Sequence, residues 1–188
     1  MMTPDERGRL EELDRILRSG TVREKISPVI SRVRAQLAQK PEALMTWEPI
    51  PLEVFGGALP EEIRSSWVFV LRAGADTGAE RHPNSHQRMM SMEGSGDMRT
   101  ADPPSHKATA WQEAEIVWRS NLLISDPAAP LEQRWISIPP NVWHRPVISN
   151  DMDWVVVSFH TVPAEELIEE RPNPSKADGT ERMKYLDA

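Results

Sequence analysis

The amino-acid sequence predicts an all-β domain, a barrel of many short strands over residues 43–162. A helical extension precedes it over 1–42, and an acidic helix and tail follow over 163–188. Two observations carry that reading. Between Ala43 and Val162 apolar residues come in short, mostly alternating runs, and Pro, Gly, Asn and Asp interrupt them at short intervals. Seventeen prolines against nine glycines, with seven tryptophans, suit strands and turns better than a helical bundle. A chain of 188 residues is long enough for one sizeable core and short for two full domains.

The elements follow in order. Thr3-Pro4-Asp5-Glu6 has the form of a capping box with proline at the first helical position. Leu10, Leu13, Ile16 and Leu17 follow at helical spacing, and Gly20 is the stop. Thr21-Val22-Arg23-Glu24 repeats the cap, and a stripe of Val22, Ile26, Val29, Ile30, Val33 and Leu37 runs on to Lys40-Pro41. Pro28 is expected to kink or restart this second helix, with Ser27 as cap. Both helices are expected to pack over the outside of the barrel. Strands are predicted over Met45 to Pro51, Leu52 to Phe55, Ser66 to Arg72, Gln87 to Glu93 and Asp97 to Thr100. Further strands are predicted over Ala108 to Glu113, Ile116 to Ile124, Gln133 to Ile138, Val142 to Ile148 and Trp154 to Val162. Asp102 to His106 and Ser125 to Leu131, each with two prolines, read as surface loops, and His106 is expected to be solvated. Pro163 to Glu170 reads as a short acidic helix. Arg171 to Ala188 reads as a loose end or an arm laid on a neighbouring subunit, with Tyr185 and Leu186 as the residues that argue for docking.

Composition narrows the partners. A net charge of −7 offers no basic footprint for nucleic acid or anionic lipid. The chain has no cysteine, so any metal must be held by His, Asp, Glu or amide oxygen, which suits Fe, Mn, Ni or Zn. No apolar run approaches the ~20 residues of a membrane span, and Met1 to Gly20 is too charged for a signal peptide. The expectation is a cytoplasmic protein that handles a small molecule and, because barrel edges need covering, forms a homodimer.

Chemistry-bearing residues concentrate in two segments. Glu80-Arg81-His82-Pro83-Asn84-Ser85-His86-Gln87 places a carboxylate, two imidazoles and an amide at the entrance of an apolar strand that runs into Gly94-Ser95-Gly96. Pro139-Pro140-Asn141-Val142-Trp143-His144 supplies an isolated histidine much later. Together they suggest one divalent metal ion inside the barrel.

These segments resemble the two signature motifs of the cupin superfamily, whose fold is a double-stranded jelly-roll β-barrel. Counted back from Gly94, Gln87 falls where that family's acidic ligand sits, His82 on the second histidine of its pair, and Glu80 on the first. In the second segment Pro139 and His144 match, and Asn141 replaces a glycine, both residues tolerating a left-handed turn. The resemblance implies Glu80, His82, Gln87 and His144 as metal ligands. The residues agree on physical grounds, since positions i and i+2 of an extended segment share a face, and two imidazoles with one carboxylate suit non-haem iron. His86 is the alternative ligand if Pro83-Asn84-Ser85 turns tightly.

Parity extends the site. With Gln87 inward, Met89 and Ser91 follow it, and Trp118, Trp135 and Trp143 are candidate aromatic walls for a ligand. His160 shares parity with Trp154, Val156 and Ser158 and is either a cavity residue or a satisfied core histidine. Arg88 and Arg145 are expected outside, and Arg72 and Arg134 are candidate anion anchors. The resemblance implies a metal-dependent enzyme acting on a small organic molecule, by dioxygenase, isomerase or lyase chemistry. The alternative is a non-catalytic small-ligand-binding module.

Overall fold

The computed structural model describes residues 2–101 and 116–187. The predicted strand Ala108 to Glu113, the loop from Asp102 and His106 lie outside the described residues. Thr3 caps helix α1 (Pro4–Leu17), its side chain accepting from the Glu6 N–H, and Pro4 takes the first turn. Ser19, one residue before the expected stop, caps α2 (Gly20–Ala38), so Gly20 opens a helix rather than ending one. Pro28 neither breaks nor restarts α2. It lies on the exposed side, where water meets the backbone group its missing N–H leaves unpaired.

Two antiparallel sheets follow. The first has the order β1-β2-β9-β3-β7, built from β1 (Met45–Pro49), β2 (Ser65–Leu71), β9 (Trp154–His160), β3 (Gln87–Glu93) and β7 (Trp135–Ile138). In the second, β4 (Ser95–Ala101) pairs on one edge with β8 (His144–Ile148) and on the other with β5 (Trp118–Arg119) and β6 (Leu122–Ile124). The predicted strand Ile116 to Ile124 is thus two short strands. Asn121 sits between them, its side chain donating to the Met98 carbonyl. Leu52 to Phe55, predicted as a strand, is a 3₁₀ turn between Pro51 and Gly56.

Alternation along the first sheet divides two cores. Trp67, Phe69, Leu71, Met89, Ile136, Ile138, Trp154 and Val156 face the interior. Val68, Val70, Met90, Trp135, Val155, Val157 and Phe159 face outward and are covered by Leu10, Leu13, Ile26, Val33 and Leu37 of the helices. A sheet with both faces buried reads as near-continuous apolar runs, as Trp154 to Phe159 does.

A three-sided polar bond pins α1 to that outer face. Glu6 accepts from Arg88 Nε at 2.7 Å and from Ser137 at 2.7 Å, and His86 lies 3.7 Å away. Burial pushes the Glu6 carboxyl up, but these bonds and the positive charge nearby hold it below its ordinary value. A carboxyl lowered by folding stabilises the native state above its unfolded pKa, and that contribution is lost as pH falls through the folded value. The urea-midpoint advantage of wild type over Glu6→Gln should therefore be full near pH 7 and shrink steadily below about pH 4.5.

The chain passes from the first sheet to the second at Gly94. This glycine has φ +74°, and a Cβ there would stand 2.5 Å from the Asp153 carbonyl oxygen. Gly94→Ala should destabilise by roughly 2–4 kcal/mol, from left-handed strain plus a backbone clash, seen as a lower urea midpoint with unchanged slope.

The tail corrects the sequence reading. In place of a helix over 163–170 there is one 3₁₀ turn, Ala164–Glu166, followed by a hairpin of β10 (Ile168–Pro172) and β11 (Thr180–Lys184). Too few apolar residues line a helical face here. As a strand, the segment buries Leu167 in the inner core and gives Glu169 and Glu170 arginine partners. No helix among the described residues is long and apolar enough to cross a membrane.

Candidate metal centre

The two histidine segments meet through their backbones. Glu80 and His144 exchange N–H···O bonds of 2.8 Å in both directions, and the Asn141 N–H donates to the His82 carbonyl at 2.9 Å. Asn141 holds φ +66°, and no other non-glycine among the described residues has a positive φ. It provides the left-handed turn that the sequence assigned to it. The segment before His82 is gripped from the other side too, because Arg81 exchanges backbone bonds with Glu170 of the hairpin.

Glu80, His82 and His144 each offer a ligand atom, and these atoms lie within 4.8 Å of one another in a fully buried setting. Two carbonyls set the imidazole tautomers. His82 Nδ1 is 3.1 Å from the Ile168 oxygen, and His144 Nδ1 is 3.1 Å from the Val142 oxygen. A carbonyl can only accept, so each Nδ1 carries the proton and each Nε2 is left to face the cluster. His144 Nε2 lies 3.4 Å from Glu80 Oε1 yet makes no hydrogen bond. Burial would raise the Glu80 carboxyl, but His144, Arg171 and His82 bring it down to about 2. Burial, and next to it the electrostatic influence of His144, lower His82 to about 4, so this imidazole is neutral near pH 7. A basic nitrogen and an ionised carboxylate this close demand a cation between them, either a proton or a metal ion.

The donor set fits a divalent metal. Two imidazole nitrogens and one carboxylate suit Zn, Fe, Mn or Ni, and backbone carbonyls on the distal ring nitrogens are the outer-shell arrangement that metal-bound histidines use. Gln87, the proposed fourth ligand, lies opposite His160 on the neighbouring strand, and its Oε1 is buried and unpartnered. His160 in turn packs edge-on against His82 at 5.0 Å.

The other sequence candidates separate clearly. His86 lies on the helix side of the sheet, 2.7 Å from Ser137 Oγ, and does not join His82. His160 has a serine beside each ring nitrogen, Ser85 at 3.2 Å and Ser158 at 3.4 Å. Met89 belongs to the inner core, and Ser91 accepts from Trp154 Nε1 at 2.8 Å. Trp135 lies on the outer face, donating to Asp14 and stacking on Phe159, so it is not a wall of the histidine pocket. Trp118 and Trp143 form a separate cluster with Ala79 and Ala101. Arg88 faces outward, as parity required, but is buried under α1. Arg72 caps α2 through the carbonyls of Leu37 and Lys40, and Arg134 is tied to Asp14.

Sequence reasoning missed what the hairpin contributes. Arg171 donates to Glu80 Oε2 at 2.8 Å and, through Nε, to Glu169 Oε1. Burial and the Glu80 charge push the Glu169 carboxyl up to about 7. Tyr185, on the inner side, packs against Trp47 and Trp67 with ring centroids 4.9 and 5.2 Å apart. The alternation Glu169, Arg171 and the buried Leu167 were the available signals, but two glutamate pairs, Glu165-Glu166 and Glu169-Glu170, masked them.

Two facing antiparallel sheets, a Gly94 crossover and two histidine segments joined by backbone bonds give the chain a cupin-like jelly-roll fold. Similar solved structures include an oxalate oxidase in complex with the substrate analogue glycolate, at 11% identity and TM-score 0.45, covering 64% of this chain and 52% of that one. The capsular polysaccharide assembling protein CapF from Staphylococcus aureus is 13% identical with TM-score 0.46, over 74% of this chain and 30% of that one. Lactobacillus farciminis oxalate decarboxylase, a formate complex, is 14% identical with TM-score 0.45, over 64% and 29%. The chain thus spans about half or less of the length of these proteins. No family profile and no curated protein matches the sequence.

Proposed function

We propose that this cupin-like protein is a metal-dependent enzyme for a small organic substrate, with Glu80, His82 and His144 holding one divalent ion and Gln87 completing the set. The observation that carries this reading is the pair of Nδ1-tethered imidazoles brought together with an ionised carboxylate, His144 Nε2 being buried and unpartnered 3.4 Å from Glu80 Oε1. When bound, such an ion supplies Lewis-acid polarisation of a substrate oxygen or a site for dioxygen. The chain itself fixes both rings through the Ile168 and Val142 carbonyls and neutralises Glu80 with Arg171.

The direct experiment is metal analysis of protein purified without a histidine tag. About one ion per chain is expected in wild type and little in His82→Ala. Full occupancy in that variant would remove the site proposed here.

A further inference from the structure

The C-terminal hairpin and the turn that follows it bring to this centre two polar groups, each with an atom that no described residue pairs. Glu169 is 2% exposed, and while its Oε1 binds Arg171, its Oε2 has no partner. Tyr185 is 3% exposed, and its hydroxyl has no partner either. Both belong to the metal cluster's surroundings. One guanidinium, that of Arg171, spans Glu169 and Glu80, and the Tyr185 ring lies 6.2 Å from the His82 ring. Trp67 Nε1, on a ring 5.2 Å from Tyr185, is buried and unpartnered as well.

Leaving such atoms unpaired costs roughly 1–3 kcal/mol each, so several of them in the surroundings of one metal cluster call for a ligand that pairs them. Their chemistry is complementary. In its ionised form, which the Arg171 bond to Oε1 favours, Glu169 accepts only, while a phenol and an indole donate. A group that satisfies both kinds at one atom is an alcohol hydroxyl, whose hydrogen goes to Glu169 and whose oxygen takes the Tyr185 proton donor. Charge selects further, because a held divalent ion and Arg171 outweigh Glu80 and Glu169, leaving a positive excess that a carboxylate offsets.

We infer that Glu169 and Tyr185 form a hydroxyl-recognising subsite beside the metal centre, and that the ligand class is small aliphatic hydroxy acids. The inference rests on the metal-dependent reading above. A site built to bond a hydroxyl discriminates strongly against an analogue that lacks it, because both protein groups then stay unpaired.

The test uses the full chain loaded with Mn(II) and titrated calorimetrically with glycerate and with propionate, the same carbon skeleton without hydroxyls. Glycerate is expected to bind at least about tenfold more tightly in wild type. Glu169→Gln and Tyr185→Phe should each reduce that preference at least about fivefold, with metal content and propionate affinity unchanged. Tyr185→Phe removes a single oxygen and leaves the ring packing in place, so a folding failure in Glu169→Gln does not blunt the test. Equal affinity for the two acids in wild type, binding of neither, or an intact preference in Tyr185→Phe would overturn the inference alone. A chain that takes up no metal would overturn the metal-dependent reading with it.

Discussion

Adding Mn(II), Fe(II), Ni(II) or Zn(II) to metal-stripped protein should raise the Tm by roughly 5–10 °C for the ion that fits best, and His144→Ala should abolish the rise. An ion that binds only the folded state contributes RT ln(1 + [L]/Kd), about 2.7 kcal/mol at a hundredfold excess over Kd. For a chain of this size each kcal/mol moves Tm by roughly 2–4 °C. The site also relieves a specific conflict. His144 Nε2 is fully buried, has no hydrogen-bond partner and lies 3.4 Å from Glu80 Oε1. Differential scanning calorimetry with and without metal checks this. Each variant is compared with itself, so any packing loss in His144→Ala cancels. A metal-induced rise that survives in His144→Ala would place the ion elsewhere.

The second large effect is expected at the root of the hairpin. Arg81 and Glu170 form an ion pair at 2.6 Å with both side chains 4% exposed, and the Arg81 guanidinium stacks 4.6 Å above Trp143. Breaking one side of a buried pair strands the other charge, at a cost of roughly 3–5 kcal/mol. Glu170→Ala should show a loss of that order in urea unfolding. Arg182 also binds Glu170 but is 65% exposed, so Arg182→Ala should cost no more than about 1 kcal/mol. The double variant Arg81→Met with Glu170→Ala should recover much of the loss, since no uncompensated charge remains. If Glu170→Ala alone is nearly neutral, the hairpin is not held by this pair.

The sheet positions were legible in the sequence because period-2 alternation reports which face a residue occupies. Gln87, Met89 and Ser91 point inward and Arg88 outward, as their parity required. Asn141 was legible for another local reason, since few residues besides glycine accept its backbone conformation. What alternation cannot show is what covers a face from outside. His86 looked like a ligand by proximity in the chain, yet it faces Ser137 and Glu6 because Pro83 to Ser85 carries it to the helix side. Trp135 failed similarly. It sits one residue out of phase with the inward Ile136 and Ile138, a parity that a bounded strand makes plain and a guessed boundary does not. The hairpin was the largest miss. Its inward residues are charged and owe their burial to partners in distant segments, Glu80 and Arg81, as well as to each other, so no local apolar pattern announces it.

The Ile168 carbonyl that orients His82 lies beyond every strand of both sheets in chain order. During synthesis a growing chain can therefore close its sandwich while the His82 ring is still unguided, and the ring is fixed only when this later ribbon emerges and docks. Nascent protein would thus pass through a folded stage in which the His82 ring is not yet held, which separates the time of folding from the time at which the proposed site is complete.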